Sequence, residues 1–567
     1  MSDDMTVKIA PTLNAPVESI HLVKPNALAE LVKCECYINA GFFFDGTNNN
    51  YEKDLPKRKH SNIARLSEAY RDDPKRGYFR TYIPGVGTPF SGIGEFGTSN
   101  LGSGFGVGCE ARVLYAMLSL FNLIHRAAFE QEAFFHEEEV RVLCSVGKRG
   151  RASHADLAIL AKLGLETGLL MPDFFGLGQR DDFFINQSRV LSAKLVAGGK
   201  PTIKECFIDV FGFSRGAAEA RVFCSWLERI LAARKFAGIP IRFRFVGLMD
   251  TVASGGFWSS IGAGLTNTAD GHSGWAAVEY LRLPSTLENC VHMVAMHELR
   301  KNFPLDEATI DGLLPPNTQQ FAYPGVHSDV GGGYAPEELG ISVGENKVES
   351  DSLKLSQIPL NHMLECATAA GAPMEKKRAN QPGKFDSFMT SPVVIKAYRE
   401  FLAISTMAAR PLSGWLQPYL NWRWQNRLVY SDLSHVRRAG KADKEILQKF
   451  NKVMINDAEL IERVTAPKKR TLWLPSVVPD SFEKADLIAI SMLDKEAKSV
   501  LEQAKNAPKV APLLHSFFDN YVHDSLAGFN STSLESTGYW RYRKGFLGGV
   551  SPRIVMEEEK NDDIQAA

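Results

Sequence analysis

The segment that most restricts the fold of this chain is Gly212-Phe213-Ser214-Arg215-Gly216, because of what flanks it. Before it runs the apolar stretch Glu205 to Phe211 (E-C-F-I-D-V-F). After it, Arg215 to Phe236 is rich in helix formers and holds no Pro or Gly beyond Gly216. The spacing predicts a strand, a sharp turn and a helix. Such a turn pushes the serine off the sheet edge in a strained backbone conformation, which small residues two positions to either side permit. Gly212 and Gly216, followed by Ala217 and Ala218, supply them.

Two further stretches, Ile241 to Met249 and Val291 to Met296, carry the same strand signal, so strand, helix and strand alternate. That order predicts an α/β fold of the α/β-hydrolase type, a mostly parallel, doubly wound sheet. Cys34 to Phe44 reads as another strand, stopping at the turn-forming run Asp45-Gly46-Thr47-Asn48-Asn49-Asn50. From Pro84 to Gly108 glycines are frequent, and Cys109 to Ala127 then has helical spacing. The glycines at 102, 104, 106 and 108 match neither nucleotide-binding pattern, so they predict a flexible loop near the site.

After about residue 345 the strand signal fades. Ser352 to Ala370, Pro392 to Ala409, Lys441 to Val464 and Asp480 to Lys505 read as helices. The expected organisation is an N-terminal arm over 1–30, a catalytic α/β domain over 31–345, and a large, mainly helical insertion or second domain over 346–510 that could bind membrane. A segment over 511–567 then returns to the catalytic domain. At 567 residues the chain has ample length for this.

Lys and Arg total 65 and Asp and Glu total 65, and no long stretch is strongly basic, which argues against a nucleic-acid partner. The N-terminus lacks both the basic start and the apolar run of a secretory signal, pointing to synthesis in the cytoplasm. No charge-free apolar run reaches the length of a membrane span, so any contact with a membrane is made from its surface. The eight cysteines are scattered, and the expectation is buried reduced thiols with no metal and no cofactor.

A serine hydroxyl needs a base to take its proton and a carboxylate to orient that base, in the order Ser, acid, His for this fold. Asp250 ends the apolar strand that follows Ser214 and is the expected acid; a helix cap or loop carboxylate is the other reading. Eight of the thirteen histidines follow it. His327 stands out, because Tyr323-Pro-Gly-Val-His-Ser-Asp-Val-Gly-Gly-Gly-Tyr334 predicts an irregular loop that presents the imidazole. His292, inside a strand-like run, His297, and His523, beside Asp524, are weaker candidates. The oxyanion is expected to take the amide of Arg215 and a second amide from the loop after the early strand, Gly46 or Thr47. Asp45 can instead brace that loop, and too few acids accompany Asp45, Asn48 and Asn50 to favour a calcium site.

At these residues a family likeness emerges. F-F-F-D-G-T-N-N-N (42–50), Y-I-P-G-V-G-T (82–88), F-G-F-S-R-G-A-A-E-A-R (211–221), F-V-G-L-M-D-T-V (245–252) and P-G-V-H-S-D-V-G-G-G-Y (324–334) resemble the first class of bacterial type VI secretion lipase effectors. F-F-D-N-Y-V-H-D-S-L-A-G-F and G-Y-W-R-Y-R near the C-terminus are similar to that family too. The resemblance implies a phospholipase, chiefly A1 with some A2 activity, using Ser214, Asp250 and His327. It also implies a protein carried on the secretion spike protein (VgrG) into the periplasm of a target bacterium, and a periplasmic immunity protein in the producer.

The competing expectation is a serine esterase or thioesterase for soluble acyl substrates, which needs the same triad but no lipid surface. Phe401 to Trp424, with Trp415, Tyr419, Trp422, Trp424, Arg410 and Arg423, suits a lipid interface, while a packed aromatic core is the alternative. A non-enzymatic module is disfavoured because Ser, Asp and His all remain in order.

Overall fold

The structure is a computed structural model that describes residues 8–9, 35–97, 105–149, 153–165, 177–253, 276–310, 312–376, 386–404, 412–465, 496–529 and 538–546. Its strands are β1 (Lys8–Ile9), β2 (Glu35–Phe44), β3 (Tyr78–Ile83), β4 (Thr202–Phe213), β5 (Lys235–Phe236), β6 (Ile239–Met249), β7 (Cys290–Ala295), β8 (Leu305–Asp306), β9 (Thr318–Tyr323) and β10 (Gly545–Phe546). An eight-stranded sheet runs β1-β9-β7-β6-β4-β2-β3, with β5 hydrogen-bonded to β6. Every pairing along this path is parallel; β5 alone is antiparallel to its neighbour.

A parallel sheet is covered on both faces, and the alternation along its strands shows how. Phe43, Phe211, Phe213, Phe245 and Met249 enter one core together with Ile63, Leu66, Ile358 and Met363 from the helices Asn62–Ala69 and Gln357–Ala369. Phe42, Phe44, Ile208, Val210, Val246 and Leu248 enter the other, against Met117, Phe121, Val222 and Trp226 of the helices Phe105–Ala128 and Arg215–Ile230. The fold is thus α/β with a substantial helical region. The buried side chains of that region, among them Tyr398, Trp415, Leu447, Val500 and Phe518, join the first core.

Several local expectations change. The helix after Ser214 ends at Ile230, not Phe236, because Ala233 and Arg234 take positive φ and turn the chain into the β5–β6 hairpin. The single helix expected over Ser352 to Ala370 is two, Lys347–Ser352 and Gln357–Ala369. Pro359 lies in the first turn of the second, where its missing N–H and fixed φ are tolerated. His327 does not sit in an irregular loop: it opens the short helix His327–Gly331. Phe105 to Gly108, expected as loop, are already helical, and the glycines at 102 and 104 lie outside the described residues. The helices expected at Pro392 and Asp480 are described over Pro392–Ile404 and Ala497–Asn506 only. Of the N-terminal arm, the described part is β1, which extends the sheet beside β9.

The aromatic segment packs as core. Trp415, Tyr419 and Trp422 are buried, and Trp424, half-buried, meets Trp540 at a ring-centroid distance of 5.5 Å. Arg423, which could have faced lipid headgroups, is buried in an ion pair with Asp524 at 3.1 Å. No helix among the described residues is long and apolar enough to cross a membrane.

Candidate active site

The C-terminal ends of parallel strands in an open α/β sheet are where ligands are met, and the candidate residues collect there. Ser214 follows β4, Asp250 follows β6, Asp45 to Thr47 follow β2, and His327 comes four residues after β9. Ser214 has φ 57° and ψ −125°. A side-chain-bearing residue holds such a conformation at a cost of order 1–3 kcal/mol, so the surroundings must enforce it. Its N–H donates to Met249 O at 2.9 Å, and its carbonyl accepts from Val252 N–H at 3.1 Å. These two bonds tie the turn to the residues on either side of Asp250. Gly216 is required by close approach: a Cβ there would lie 2.3 Å from Phe44 O and 2.4 Å from Asp45 O.

Asp250 is fully buried at φ 47° and its carboxylate accepts four donors. Ala295 N–H reaches Oδ1 at 2.9 Å and His327 Nδ1 reaches Oδ2 at 2.5 Å. Arg543 closes a fork, Nη1 to Oδ1 at 2.6 Å and Nη2 to Oδ2 at 2.8 Å. Burial alone would raise the Asp250 pKa, but the Arg543 guanidinium and the His327 hydrogen bond outweigh it and hold the carboxyl below its ordinary range. With Asp250 ionised, His327 Nδ1 is the donor of their bond, leaving Nε2 as acceptor. Burial pushes the His327 pKa down, against the pull of Asp250, so the ring is neutral near pH 7.

The His327 ring is packed by Phe213 (centroids 4.6 Å) and Phe303 (4.9 Å), and its backbone N–H donates to Glu298 Oε2 at 3.1 Å. Glu298 also takes Arg300 Nε at 2.9 Å and Ser525 Oγ at 3.1 Å. Buried though it is, Arg300 first among its partners brings it down to about 2. The structure therefore joins Asp250 to His327 directly and sets Ser214 beside them through the backbone and the Phe213 ring. No Ser214–His327 hydrogen bond occurs among the described residues; such bonds are often long before substrate arrives.

In the loop after β2, Gly46 N–H donates to Asp45 Oδ1 at 2.7 Å, and Asp45 Oδ2 accepts from Tyr82 Oη at 2.6 Å. Asp45 braces this loop, and burial raises its pKa to about 6. The Thr47 amide makes no hydrogen bond among the described residues, and Thr47 is half-buried. Arg215 supplies the first amide of the helix after Ser214. Of the rival histidines, His292 is neutral and fixed between Thr251 and Gln320. His297 is buried with Nδ1 accepting from Gly325 N–H. His523 pairs with Asp329 at 2.6 Å, not with its neighbour Asp524. Sequence reasoning misses Arg543 and Glu298; G-Y-W-R-Y-R marks the stretch that holds Arg543 without giving it a role.

Residues 229–366 match the family model of the type VI secretion phospholipase effector, Tle1-like, catalytic domain. This segment is Tle1-like. It contains Asp250 and His327 and begins downstream of Ser214. A crystal structure of an uncharacterized protein from Pseudomonas aeruginosa is similar at TM-score 0.67 and 26% identity, covering 91% of this chain and 80% of that one. A structure of the Tle1 effector bound to the VgrG spike from the type VI secretion system aligns at TM-score 0.35 and 18% identity, over 67% of this chain and 84% of that one. No curated protein matches the sequence.

Proposed function

We propose that the protein is a type VI secretion phospholipase effector that cleaves acyl esters of membrane glycerophospholipids with Ser214 as nucleophile. The observation that carries this reading is the 2.5 Å Asp250–His327 contact beside the strained Ser214 turn, within and next to the Tle1-like segment. Ser214 Oγ attacks the ester carbonyl as its proton passes to His327 Nε2, and Asp250 holds the ring and offsets the imidazolium charge. The oxyanion takes the Arg215 amide and the amide of Thr47, since that of Gly46 is engaged by Asp45. His327 then protonates the departing lysophospholipid oxygen, and a water deprotonated by the same ring releases the fatty acid. Attack is chiefly at the A1 ester with some at A2.

In this reading the protein travels on the VgrG spike into the periplasm of a rival bacterium, and the producer is protected by an immunity protein. The five sequence motifs support that route. The test is hydrolysis of phospholipid vesicles with mass detection of products, alongside fluorophosphonate labelling. Wild type is expected to yield fatty acid and lysophospholipid and to label at Ser214. Ser214→Ala is expected to lose roughly 10⁴-fold or more. Turnover of soluble esters or thioesters with vesicles left intact would favour the soluble-substrate esterase instead.

A further inference from the structure

We propose that Arg543 is a positioning residue of the triad, so that the C-terminal segment completes the active site. The proposal rests on the reading of Ser214, Asp250 and His327 as that triad. Arg543 is buried and spends every nitrogen near the site: Nη1 and Nη2 on the two oxygens of Asp250, and Nε on Phe303 O at 2.7 Å. Phe303 is itself the residue whose ring packs on His327. One guanidinium therefore fixes both the acid that orients the base and a wall that confines it. A bidentate fork supplies direction as well as charge, which a lysine cannot match.

Arg543 is held in place by its neighbours. Lys544 O accepts from Leu305 N–H at 2.9 Å, and β10 pairs in parallel with β8, Gly545 opposite Leu305 and Phe546 opposite Asp306. Upstream, Ser525 reaches Glu298 and His523 reaches Asp329, which lies on the same short helix as His327. The segment thus touches the acid, the base's helix and the carboxylate that binds the base's amide.

The electrostatic consequence is specific. The charged groups around the Asp250–His327 pair include Arg543, Glu298 and Arg300. Next to them are Asp306, whose carboxylate accepts from Ala253 N–H, and Arg221, which donates to Asp306 O. His292 is neutral nearby, and Glu307, pushed up to about 7 by burial, lies beyond Arg543. With His327 neutral, Asp250 and Glu298 are balanced by Arg543 and Arg300. Removing Arg543 leaves one uncompensated negative charge beside the pair, so its affinity for a proton must rise. The acid limb of the pH profile of kcat/KM then moves to higher pH, by about one unit or more for a charge in direct contact.

The experiment measures kcat/KM against pH for a short-chain p-nitrophenyl ester, with melting temperatures, for wild type, Arg543→Ala, Arg543→Lys, Arg543→Gln and Ser214→Ala. Arg543→Ala is expected to lose tenfold or more at pH 7, to shift the acid limb upward, and to recover activity in added guanidinium. Arg543→Lys, keeping the charge but losing the fork, should keep the limb near its wild-type position with reduced kcat. An unmoved limb in Arg543→Ala, or loss of activity in step with loss of fold and no rescue, overturns the proposal. If the Ala variant does not fold, the Lys and Gln variants decide: a limb displaced only in Gln supports it, and the same limb in both refutes it. Retained hydrolysis in Ser214→Ala would instead sink the triad reading itself.

Discussion

Replacing Ser214 by glycine is expected to make the protein more stable than replacing it by alanine, while both variants are inactive. Ser214 holds φ 57° and ψ −125°, a region that glycine enters freely and alanine does not. The strain amounts to roughly 1–3 kcal/mol. Against this, glycine gains about 0.5–1 kcal/mol of extra freedom in the unfolded chain relative to alanine. The difference leaves Ser214→Gly ahead of Ser214→Ala by up to about 2 kcal/mol. Unfolding entropy of about 2.1 cal/mol/K per residue, summed over the whole chain, converts that into roughly 1 °C per kcal/mol. Urea titration therefore resolves the difference better than a thermal melt, and the two midpoints should be compared at equal slope. A midpoint for the glycine variant at or below that of the alanine variant would refute the argument that the turn stores strain.

Gly331→Ala would place a Cβ 1.9 Å from the Phe213 ring, which packs on His327. A loss of about 1–3 kcal/mol in urea titration and at least a tenfold loss of ester hydrolysis are expected. Glu219, buried one turn beyond the Ser214 elbow, is raised by burial to about 8 from 4.5, so it folds protonated. Its stabilising effect is complete below about pH 4.5 and lost as pH rises through 8. Glu219→Gln should thus gain several kcal/mol on wild type at pH 9 relative to pH 5; an equal difference at both values counts against it. Trp415→Ala and Trp422→Ala should each cost about 3–5 kcal/mol of stability. Their soluble-ester and vesicle activities should fall together with the melting temperature, whereas selective loss of vesicle binding would return these rings to the surface.

The sequence carried the elbow because its cause is local: two glycines at fixed offsets between an apolar strand and an alanine-rich helix. Asp250 was legible for a similar reason, lying at the end of a strand whose neighbour in the sheet could be inferred. His327 was legible as a candidate but not in its setting. Its run of Pro and Gly suggested loop, while the backbone bonds of Asp329 and Val330 to Val326 O close a short helix there. The edge strand β3 and the inner strand β9 were missed, since Y-F-R-T-Y-I and T-Q-Q-F-A-Y mix polar residues into short runs. The aromatic segment around Trp422 could not be resolved by composition, because a lipid interface and a helical core both favour Trp, Tyr and Arg together. The burial of Trp415, Tyr419 and Trp422 and the buried partner of Arg423, Asp524, separate the two, and Asp524 is 101 positions away.

Arg543 was illegible because its partner is remote in the chain. His327 is separated from Asp250 by 77 positions and Arg543 by 293, yet both meet the same carboxylate. Loop-closure entropy grows only logarithmically, so the longer closure costs about 1 kcal/mol more than the shorter. Leaving Asp250 buried without its guanidinium would cost of order 3–5 kcal/mol. The balance favours a chain that delivers a distant cation to the site over one that leaves the acid unpaired, and no local pattern is needed to encode the delivery. The helices between Pro392 and Tyr521 then have a defined part in this architecture. They fill the first core and, through the Arg423–Asp524 and His435–Asp519 pairs, anchor the segment that carries Ser525 and Arg543 to the site. Loosening those helices should therefore reach Asp250 through Arg543, without any change in the sheet that presents Ser214.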